Sequence, residues 1–125
     1  MFNFIEKSDS TDPYENLAYE SALAEFIRCE IQKGKSCYGM FLWRSDSAIV
    51  FGRNQNIRNE CNINLAKKKG IKLFRRKTGG GAVYHDLGNL NFSFLASKDI
   101  YSKEKNFDII LKALSRLGLR AEISG

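Results

Sequence analysis

The chain has 125 residues, of which 43% are hydrophobic and one is proline, a composition typical of one folded domain and not of a disordered segment. No apolar run approaches the ~20 residues that a membrane-spanning helix needs, and residues 1–7 lack the basic and apolar regions of a signal peptide. We therefore expect a cytoplasmic protein that does not bind membranes.

The net charge of +6 would suit an acidic protein, an anionic lipid or a nucleic acid as a partner. The cations are scattered, however, apart from two short runs at residues 67–69 and 75–77. Nucleic-acid-binding domains more often carry a basic stripe with interleaved aromatic residues. We therefore do not expect a nucleic-acid partner.

The three cysteines, Cys29, Cys37 and Cys61, are odd in number and have no paired spacing. This pattern favours reduced structural thiols over disulfides. A metal site is also disfavoured, because the sequence offers only one histidine as a ligand.

The N-terminal third predicts a strand and then a long helix. Residues 2–5 alternate apolar and polar side chains, as a half-buried strand does. The sequence Thr11-Asp12-Pro13 puts a capping side chain before proline, which predicts a helix from there to about Gln32. Six small or apolar residues share one face of this helix: Tyr14, Leu17, Ser21, Ala24, Ile27 and Ile31. Glu20 falls among them, either as a helix-edge carboxylate that reaches water or as a carboxylate that faces a ligand cleft.

The next segments predict a hairpin and a polar loop. Residues 38–44 and 48–51 are apolar strand segments, and the turn-forming residues 45–47 join them, so an antiparallel hairpin is expected. The polar residues 52–56 then follow a strand end, where binding groups are often held by a rigid scaffold. Asn62 or Asn64 caps a short helix that Gly70 ends.

The remaining pattern predicts strands at residues 71–74, 82–85, 90–94 and 119–123, with a helix over residues 103–117. The order β-α-ββ-α-βββ-α-β is that of an α/β or α+β fold with a mixed β-sheet flanked by helices. The chain stops just after the last candidate strand, at Ser124-Gly125. We therefore expect residues 1–125 to be the N-terminal portion of a larger, here incomplete, domain.

The segment richest in binding chemistry is Arg75-Arg76-Lys77-Thr78-Gly79-Gly80-Gly81-Ala82-Val83-Tyr84-His85-Asp86-Leu87-Gly88-Asn89. A glycine triplet lets backbone N–H groups approach anionic oxygens closely, and the neighbouring cations would hold the same charge. Arg76 is the preferred phosphate contact, because its guanidinium can grip two oxygens. The segment therefore predicts a site for an activated acyl compound that contains phosphate.

Other interpretations of the glycines carry less weight. No Gly-x-x-x-x-Gly-Lys-[Ser/Thr] motif occurs, and a strand follows the glycines where a dinucleotide-binding motif requires a helix. A glycine triplet alone would also fit a flexible surface hairpin, but this one lies between cations and a His-Asp-x-Gly-Asn sequence. His85 would bind a ligand or orient the loop. Asp86 would cap the turn or accept a hydrogen bond from a cation.

Residues 76–94 resemble the signature sequence of lipoate–protein ligases. Residues 16–20, 41–44 and 51–56 also resemble segments of that family, in the family's order. Thr78 stands where the family commonly has serine, so the hydroxyl is retained. The resemblance runs along nearly the whole chain.

The resemblance implies a mixed-sheet catalytic domain shared with biotin–protein ligases. It implies that lipoate and ATP, with Mg²⁺, give lipoyl-AMP and pyrophosphate. The lipoyl group then passes to a lysine of an acidic lipoyl carrier domain, in a 2-oxoacid dehydrogenase (E2) or the glycine-cleavage H protein. No tightly bound prosthetic group is implied.

The resemblance also assigns residues by position. The catalytic residues would be Arg76, Gly79 and Gly80. The lipoyl group would be bound by Trp43, Arg76, Gly81, Ala82 and His85. The nucleotide would be bound by Gly79, Gly80, Gly81, Val83, Tyr84, Asp86 and Asn89. No metal ligand is assigned within the chain.

An essential lysine of the family, and an Asn-Asp pair associated with nucleotide and metal, would lie beyond the last residue. We therefore expect this chain alone to be inactive or very weak and to need the remainder of the ligase domain. Three alternatives stay open. One is an octanoyl or lipoyl transferase of the same fold with a cysteine nucleophile. Another is a non-catalytic lipoate-binding half that needs a partner chain, and the third is a basic α/β domain that binds nucleic acid.

Overall fold

The computed structural model describes residues 1–124, and Gly125, the last residue of the expected N-terminal portion, lies outside the described residues. The strands are β1 (Phe2–Lys7), β2 (Cys37–Trp43), β3 (Ala48–Phe51), β4 (Lys72–Arg75), β5 (Val83–His85) and β6 (Asn91–Ala96). The helices are α1 (Pro13–Gln32), α2 (Ile57–Glu60), α3 (Ile63–Lys68) and α4 (Lys103–Arg116). The expected α+β fold with mixed sheets is confirmed.

Within residues 1–124 the strands form two three-stranded mixed sheets. In the first sheet, with order β1-β2-β6, β2 pairs parallel with β1 and antiparallel with β6. In the second, with order β4-β3-β5, β3 pairs parallel with β4 and antiparallel with β5. Each sheet therefore has a central strand that comes from the apolar segment of residues 37–51.

The predicted hairpin between residues 38–44 and 48–51 is wrong, because β2 and β3 belong to different sheets. The buried side chain of Asn16 holds the connection from helix α1, since its Nδ2 atom donates to the carbonyl oxygen of Arg44 at 2.8 Å. The backbone N–H of Asp46 donates to the carbonyl oxygen of Thr11 at 2.8 Å. These two bonds tie the connection to the start of α1, where it crosses from one sheet to the other.

Helix α1 begins as predicted. The Asp12 side chain accepts a hydrogen bond from the backbone N–H of Tyr14 at 2.7 Å, and Pro13 occupies the first turn. The predicted buried face is only partly buried, because Ile27 is enclosed while Tyr14 and Ile31 are exposed. Asp12 also pairs with Lys72 of β4 at 2.8 Å, so the cap joins the helix to the second sheet.

The structure lacks one predicted strand and contains one helix that was not predicted. Residues 119–123 form no strand, and Leu119 and Ile123 are exposed, because no strand among residues 1–124 pairs with them. An alternating pattern gives a strand only where a neighbouring edge satisfies its backbone. The short helix α2 was not predicted, although Asn56 caps it through its side chain.

The core lies between helix α1 and the sheets. Ala48, Val50 and Phe74 form a buried cluster of the second sheet, and Leu17 of α1 packs against it. In the first sheet, alternate residues of β2 are buried, so one face of the strand lies inside. No helix in the described part of the chain is long and apolar enough to cross a membrane.

Candidate functional site

The glycine loop, defined as residues 77–82, connects the end of β4 to the start of β5. Because β4 lies parallel to β3 and β5 antiparallel to it, the loop lies beyond the carboxyl end of β3. Gly80 has a φ of +96°, a conformation that side-chain-bearing residues rarely adopt. The glycine at this position therefore gives the loop a bend that few other residues allow.

Arg76 determines the orientation of the loop carbonyl groups. Its Nε and Nη2 atoms donate to the carbonyl oxygen of Gly79 at 3.0 and 2.7 Å, and Nη2 also donates to that of Gly81 at 2.8 Å. Its Nη1 atom donates to the carbonyl oxygen of Val50 at 3.2 Å. The guanidinium thus fixes the glycine loop to the central strand of the second sheet.

The N–H groups of the glycines are available to a ligand. Within residues 1–124, Gly79, Gly80 and Gly81 are exposed and their N–H groups donate to no acceptor. A row of unpaired N–H groups beside a guanidinium is an anion-binding arrangement. The loop can therefore bind carboxylate or phosphate oxygens without any side-chain donor of its own.

A second loop, residues 52–55, lies against the glycine loop. The backbone N–H of Arg53 donates to the carbonyl oxygen of Thr78 at 2.9 Å. Gly52 is buried against Gly80, so closely that a Cβ atom on residue 52 would overlap the carbonyl oxygen of Gly80. The two loops therefore form one backbone surface at the end of the second sheet.

Asp86 and Asn89 lie at the other end of β5. The Asp86 side chain accepts a hydrogen bond from the backbone N–H of Gly88 at 2.8 Å. The backbone carbonyl oxygen of Asp86 accepts one from the N–H of Asn89 at 3.0 Å. Asp86 therefore caps its own turn, one of the two roles expected for it. Strand β5 separates this turn from the glycines by three residues, about 10 Å. The structure does not bring these two residues together with the glycine loop.

Val83 and Tyr84 lie on the exposed edge strand β5. Val83 pairs with Val50 and Tyr84 with Ile49 of β3, and both side chains are about half exposed. The Tyr84 hydroxyl donates to the Ser47 hydroxyl oxygen at 3.1 Å. The backbone beside the glycine loop thus belongs to a strand whose outer edge has no partner among residues 1–124.

Trp43 and His85 are in contact. Their ring centroids lie 5.4 Å apart, edge to face, and Trp43 is only 4% exposed. The pKa of His85 lies below its ordinary value of 6.5, mainly because the ring is buried and also because the Arg76 charge opposes its protonation. Glu20 acts weakly in the opposite direction. The imidazole is therefore neutral near pH 7.

Polar groups surround this aromatic pair. Asn91 is the cross-strand partner of Trp43, and three buried atoms, Trp43 Nε1, His85 Nδ1 and Asn91 Nδ2, have no hydrogen-bond partner within residues 1–124. Glu20 accepts a hydrogen bond from the Ser93 hydroxyl, so it faces the first sheet and not only water. A buried polar atom without a hydrogen-bond partner costs free energy, so a polar group placed beside these three atoms would be stabilised by them.

Sequence reasoning missed Arg75, Asn91 and Ser93. Asn91 and Ser93 alternate with apolar residues on β6, and that alternation could have placed them on the face that carries Trp43. Arg75 was seen only as part of a basic run, yet it donates to three carbonyl groups of the 52–55 loop. No signal in the sequence distinguishes its partners from those of Arg76.

The described residues supply no metal site. Among residues 1–124, no three His, Cys, Asp or Glu side chains lie together as metal ligands would. Cys37 is buried and Cys29 and Cys61 are partly exposed, and all three are free thiols.

The chain matches the family model described as the lipoyl protein ligase A/B catalytic domain over residues 12–125. It therefore belongs to this family of lipoyl ligases and transferases. The resemblance noted in the sequence is thereby confirmed.

Individual relatives include both kinds of enzyme. The chain is 47% identical over 111 residues to the mitochondrial lipoyl amidotransferase LIPT1 of Mus musculus, covering 89% of this chain and 28% of that protein. It is 46% identical over 118 residues to lipoate-protein ligase A of Blochmanniella pennsylvanica, covering 94% of this chain and 33% of that protein. The chain thus spans about a third of the length of these relatives.

Solved structures agree with the fold. The complex of P. falciparum LipL1 with lipoate has a TM-score of 0.86 at 35% identity, over 98% of this chain and 39% of that one. A lipoate-protein ligase A bound with ATP has a TM-score of 0.75 at 29% identity, over 100% of this chain and 52% of that one.

Proposed function

We propose that the full-length protein is an ATP-dependent lipoate–protein ligase. It would join lipoate to AMP, release pyrophosphate, and transfer the lipoyl group to a lysine of a lipoyl carrier domain. Residues 1–125 would be the N-terminal portion of its catalytic domain. The family membership supports the lipoyl chemistry, and the glycine loop supports the adenylate intermediate.

The observation that carries the proposal is the polarity of the glycine loop. Arg76 binds the carbonyl groups of Gly79 and Gly81, while the N–H groups of residues 79–81 donate to no acceptor within residues 1–124. Charge that develops on the α-phosphate would meet donors that are already oriented, which is usually the largest contribution to such catalysis. No side-chain nucleophile is required, because holding carboxylate and phosphate together supplies much of the rest.

The proposed residue roles are those that the resemblance assigns by position. Arg76, Gly79 and Gly80 would act at the reacting centre, with Arg76 supplying positive charge from beside the loop. Because Arg76 is bound to carbonyl groups, its direct contact with a phosphate would require those bonds to loosen. Gly81 and Ala82 would lie beside the acyl carbonyl group.

The lipoyl chain would lie along Trp43 and His85, and the nucleotide along Val83 and Tyr84. Trp43 is buried in this structure, so binding of the acyl chain against its ring would require the side chain to move. Asp86 and Asn89 would contribute to the nucleotide pocket indirectly, by shaping the turn that ends β5. The family's essential lysine would come from the remainder of the domain.

Mg²⁺ would enter with the phosphates of ATP as part of the substrate. The described residues offer no cluster that fits a resident metal, so no step is assigned to one. An acidic carrier domain would suit the net charge of +6, and this attraction would mainly raise the association rate. The structure of a two-part ligase from Thermoplasma acidophilum with its E2 lipoyl domain, 29% identical to this chain, supports this kind of partner.

A transferase that uses an already activated lipoyl or octanoyl group is the second candidate. The 47% identity to the mouse amidotransferase favours it, and the activation step would then be absent. The cytoplasmic location stays a prediction, because that relative is named as mitochondrial.

The deciding experiment supplies the full-length protein and a carrier domain with three acyl donors: free lipoate with ATP, lipoyl-AMP and an acylated carrier. A ligase modifies the carrier from free lipoate only when ATP is present, and it releases pyrophosphate. A transferase modifies the carrier from lipoyl-AMP or an acylated carrier but not from lipoate with ATP. Absence of lipoyl transfer from every donor would refute both.

A further inference from the structure

Arg75 and Arg76 are adjacent, yet each is bound to a different loop. The Arg76 side chain binds carbonyl groups of the glycine loop. The Nη1 atom of Arg75 donates to the carbonyl oxygens of Gly52, Arg53 and Gln55 at 3.0, 3.0 and 2.7 Å. Three carbonyl groups of one loop therefore converge on one positively charged nitrogen.

The 52–55 loop is also closed on itself. The backbone N–H of Gly52 donates to the Gln55 side-chain oxygen at 2.8 Å, and the N–H of Gln55 donates to the carbonyl oxygen of Gly52 at 3.1 Å. Converging carbonyl dipoles repel each other unless a donor lies among them, and Arg75 supplies that donor. Without this guanidinium, the curled conformation of the loop loses its charged partner.

This loop in turn supports the glycine loop. Gly52 lies against the carbonyl group of Gly80, and the N–H of Arg53 donates to the carbonyl oxygen of Thr78. No hydrogen bond within residues 1–124 joins the Arg75 side chain to the glycine loop itself. The hydrogen bonds of the Arg75 side chain are therefore connected to the glycine loop through residues 52–55.

We propose that Arg75 is a positioning residue, which holds the 52–55 loop as the second wall of the glycine loop and so sets the geometry for ATP. The inference rests on the proposed ligase function. The Arg75 side chain is bound to the 52–55 loop, so its removal acts on the order of that loop. Lysine retains the role in part, because its ammonium group carries positive charge and three N–H donors that can reach the same carbonyl groups.

The experiment compares Arg75→Met, Arg75→Lys and the control Arg58→Met in the full-length protein. Arg58 is an exposed cation of α2 whose side chain makes no hydrogen bond within residues 1–124. The readouts are the KM for ATP in lipoate-dependent pyrophosphate release, the melting temperature, and the rate of trypsin cleavage after Arg53. Trypsin cleaves after arginine, so it reports directly on the order of this loop.

We expect Arg75→Met to raise the KM for ATP and the cleavage rate after Arg53 by about tenfold each, from the loss of charge-assisted hydrogen bonds. Arg75→Lys restores both values to within about threefold, and Arg58→Met leaves both unchanged. The melting temperature falls by less than about 3 °C, because Arg75 is exposed.

Wild-type values of both the KM for ATP and the cleavage rate in Arg75→Met would overturn the proposal. Equal increases of these two values in Arg58→Met would also overturn it. If the wild-type protein releases no pyrophosphate with lipoate, the proposed ligase function fails instead. The trypsin measurement still decides whether Arg75 orders the loop in that case.

Discussion

Gly52 lies against the carbonyl oxygen of Gly80, with no room for a Cβ atom between them. The contact joins two loops that are 28 residues apart in sequence. A side chain at position 52 would meet backbone atoms, which cannot rotate away as the end of a flexible side chain can. The glycine at position 52 is therefore required by the conformation of the glycine loop.

Gly52→Ala should displace the glycine loop and impair catalysis. We expect kcat/KM for ATP to fall by about a hundredfold, because small misplacements of positioning groups have effects of this size. Steady-state pyrophosphate release by the full-length protein measures it. Asn59→Ala, at an exposed position of α2, is the control and should retain wild-type kinetics. Wild-type kinetics in Gly52→Ala would show that the contact is unimportant.

Gly39→Ala should destabilise the first sheet. Gly39 is the cross-strand partner of Phe4, whose ring lies where a Cβ atom on residue 39 would be. Overpacking of this kind costs about 1–3 kcal/mol, measured as the free energy of unfolding in urea. Gly79→Ala is the control, because in the described part of the chain nothing beyond its immediate neighbours in sequence lies within 4 Å of its Cβ position. Equal stabilities of the two variants would contradict the packing described for β1 and β2.

His85 should make stability depend on pH below neutrality. Its pKa in the folded protein lies below the ordinary value of 6.5, because of burial and the nearby Arg76 charge, with Glu20 opposing. As the pH falls below 6.5, the unfolded chain takes up the proton first, so the folded state loses relative stability. At pH values well above 6.5 the imidazole is neutral in both states, so the effect is absent.

Urea unfolding at pH 7.5 and at pH 5.5 tests this expectation on wild type and His85→Gln. The wild-type protein should lose more unfolding free energy between the two pH values than the variant does. An identical loss in both proteins would show that His85 is not the group responsible.

Much of the fold could be predicted from local signals. Asp12 and Asn62 cap helices where the sequence places them, and the strands lie within a residue or two of the apolar runs. Sheet membership could not be predicted in the same way. Turn residues between β2 and β3 suggested a hairpin, but the pairing depends on tertiary bonds such as that from Asn16 to Arg44.

In the candidate site, too, local features could be predicted from the sequence and tertiary contacts could not. The glycine triplet and its flanking cations are visible in the sequence, because glycine backbone freedom is a local property. The partners of each arginine are not visible, since they depend on which loops lie beside β4 in the folded chain. For the same reason, the sequence grouped Asp86 with the glycines although β5 separates them.

The most direct test of the central claim is calorimetric binding of a non-hydrolysable lipoyl-adenylate analogue to the full-length protein and to its Gly79→Val variant. Apart from Gly79 itself and its chain neighbours, no atom of residues 1–124 lies within 4 Å of the Cβ position of Gly79, so the variant should fold normally, with an unchanged melting temperature. Its branched side chain would nevertheless add bulk to the loop at a position where the sequence has only glycine, and where the proposed ligand approaches the backbone. We expect the variant to bind the analogue about a hundredfold more weakly than the wild-type protein does. Equal binding by the wild-type protein and a folded Gly79→Val variant would contradict it.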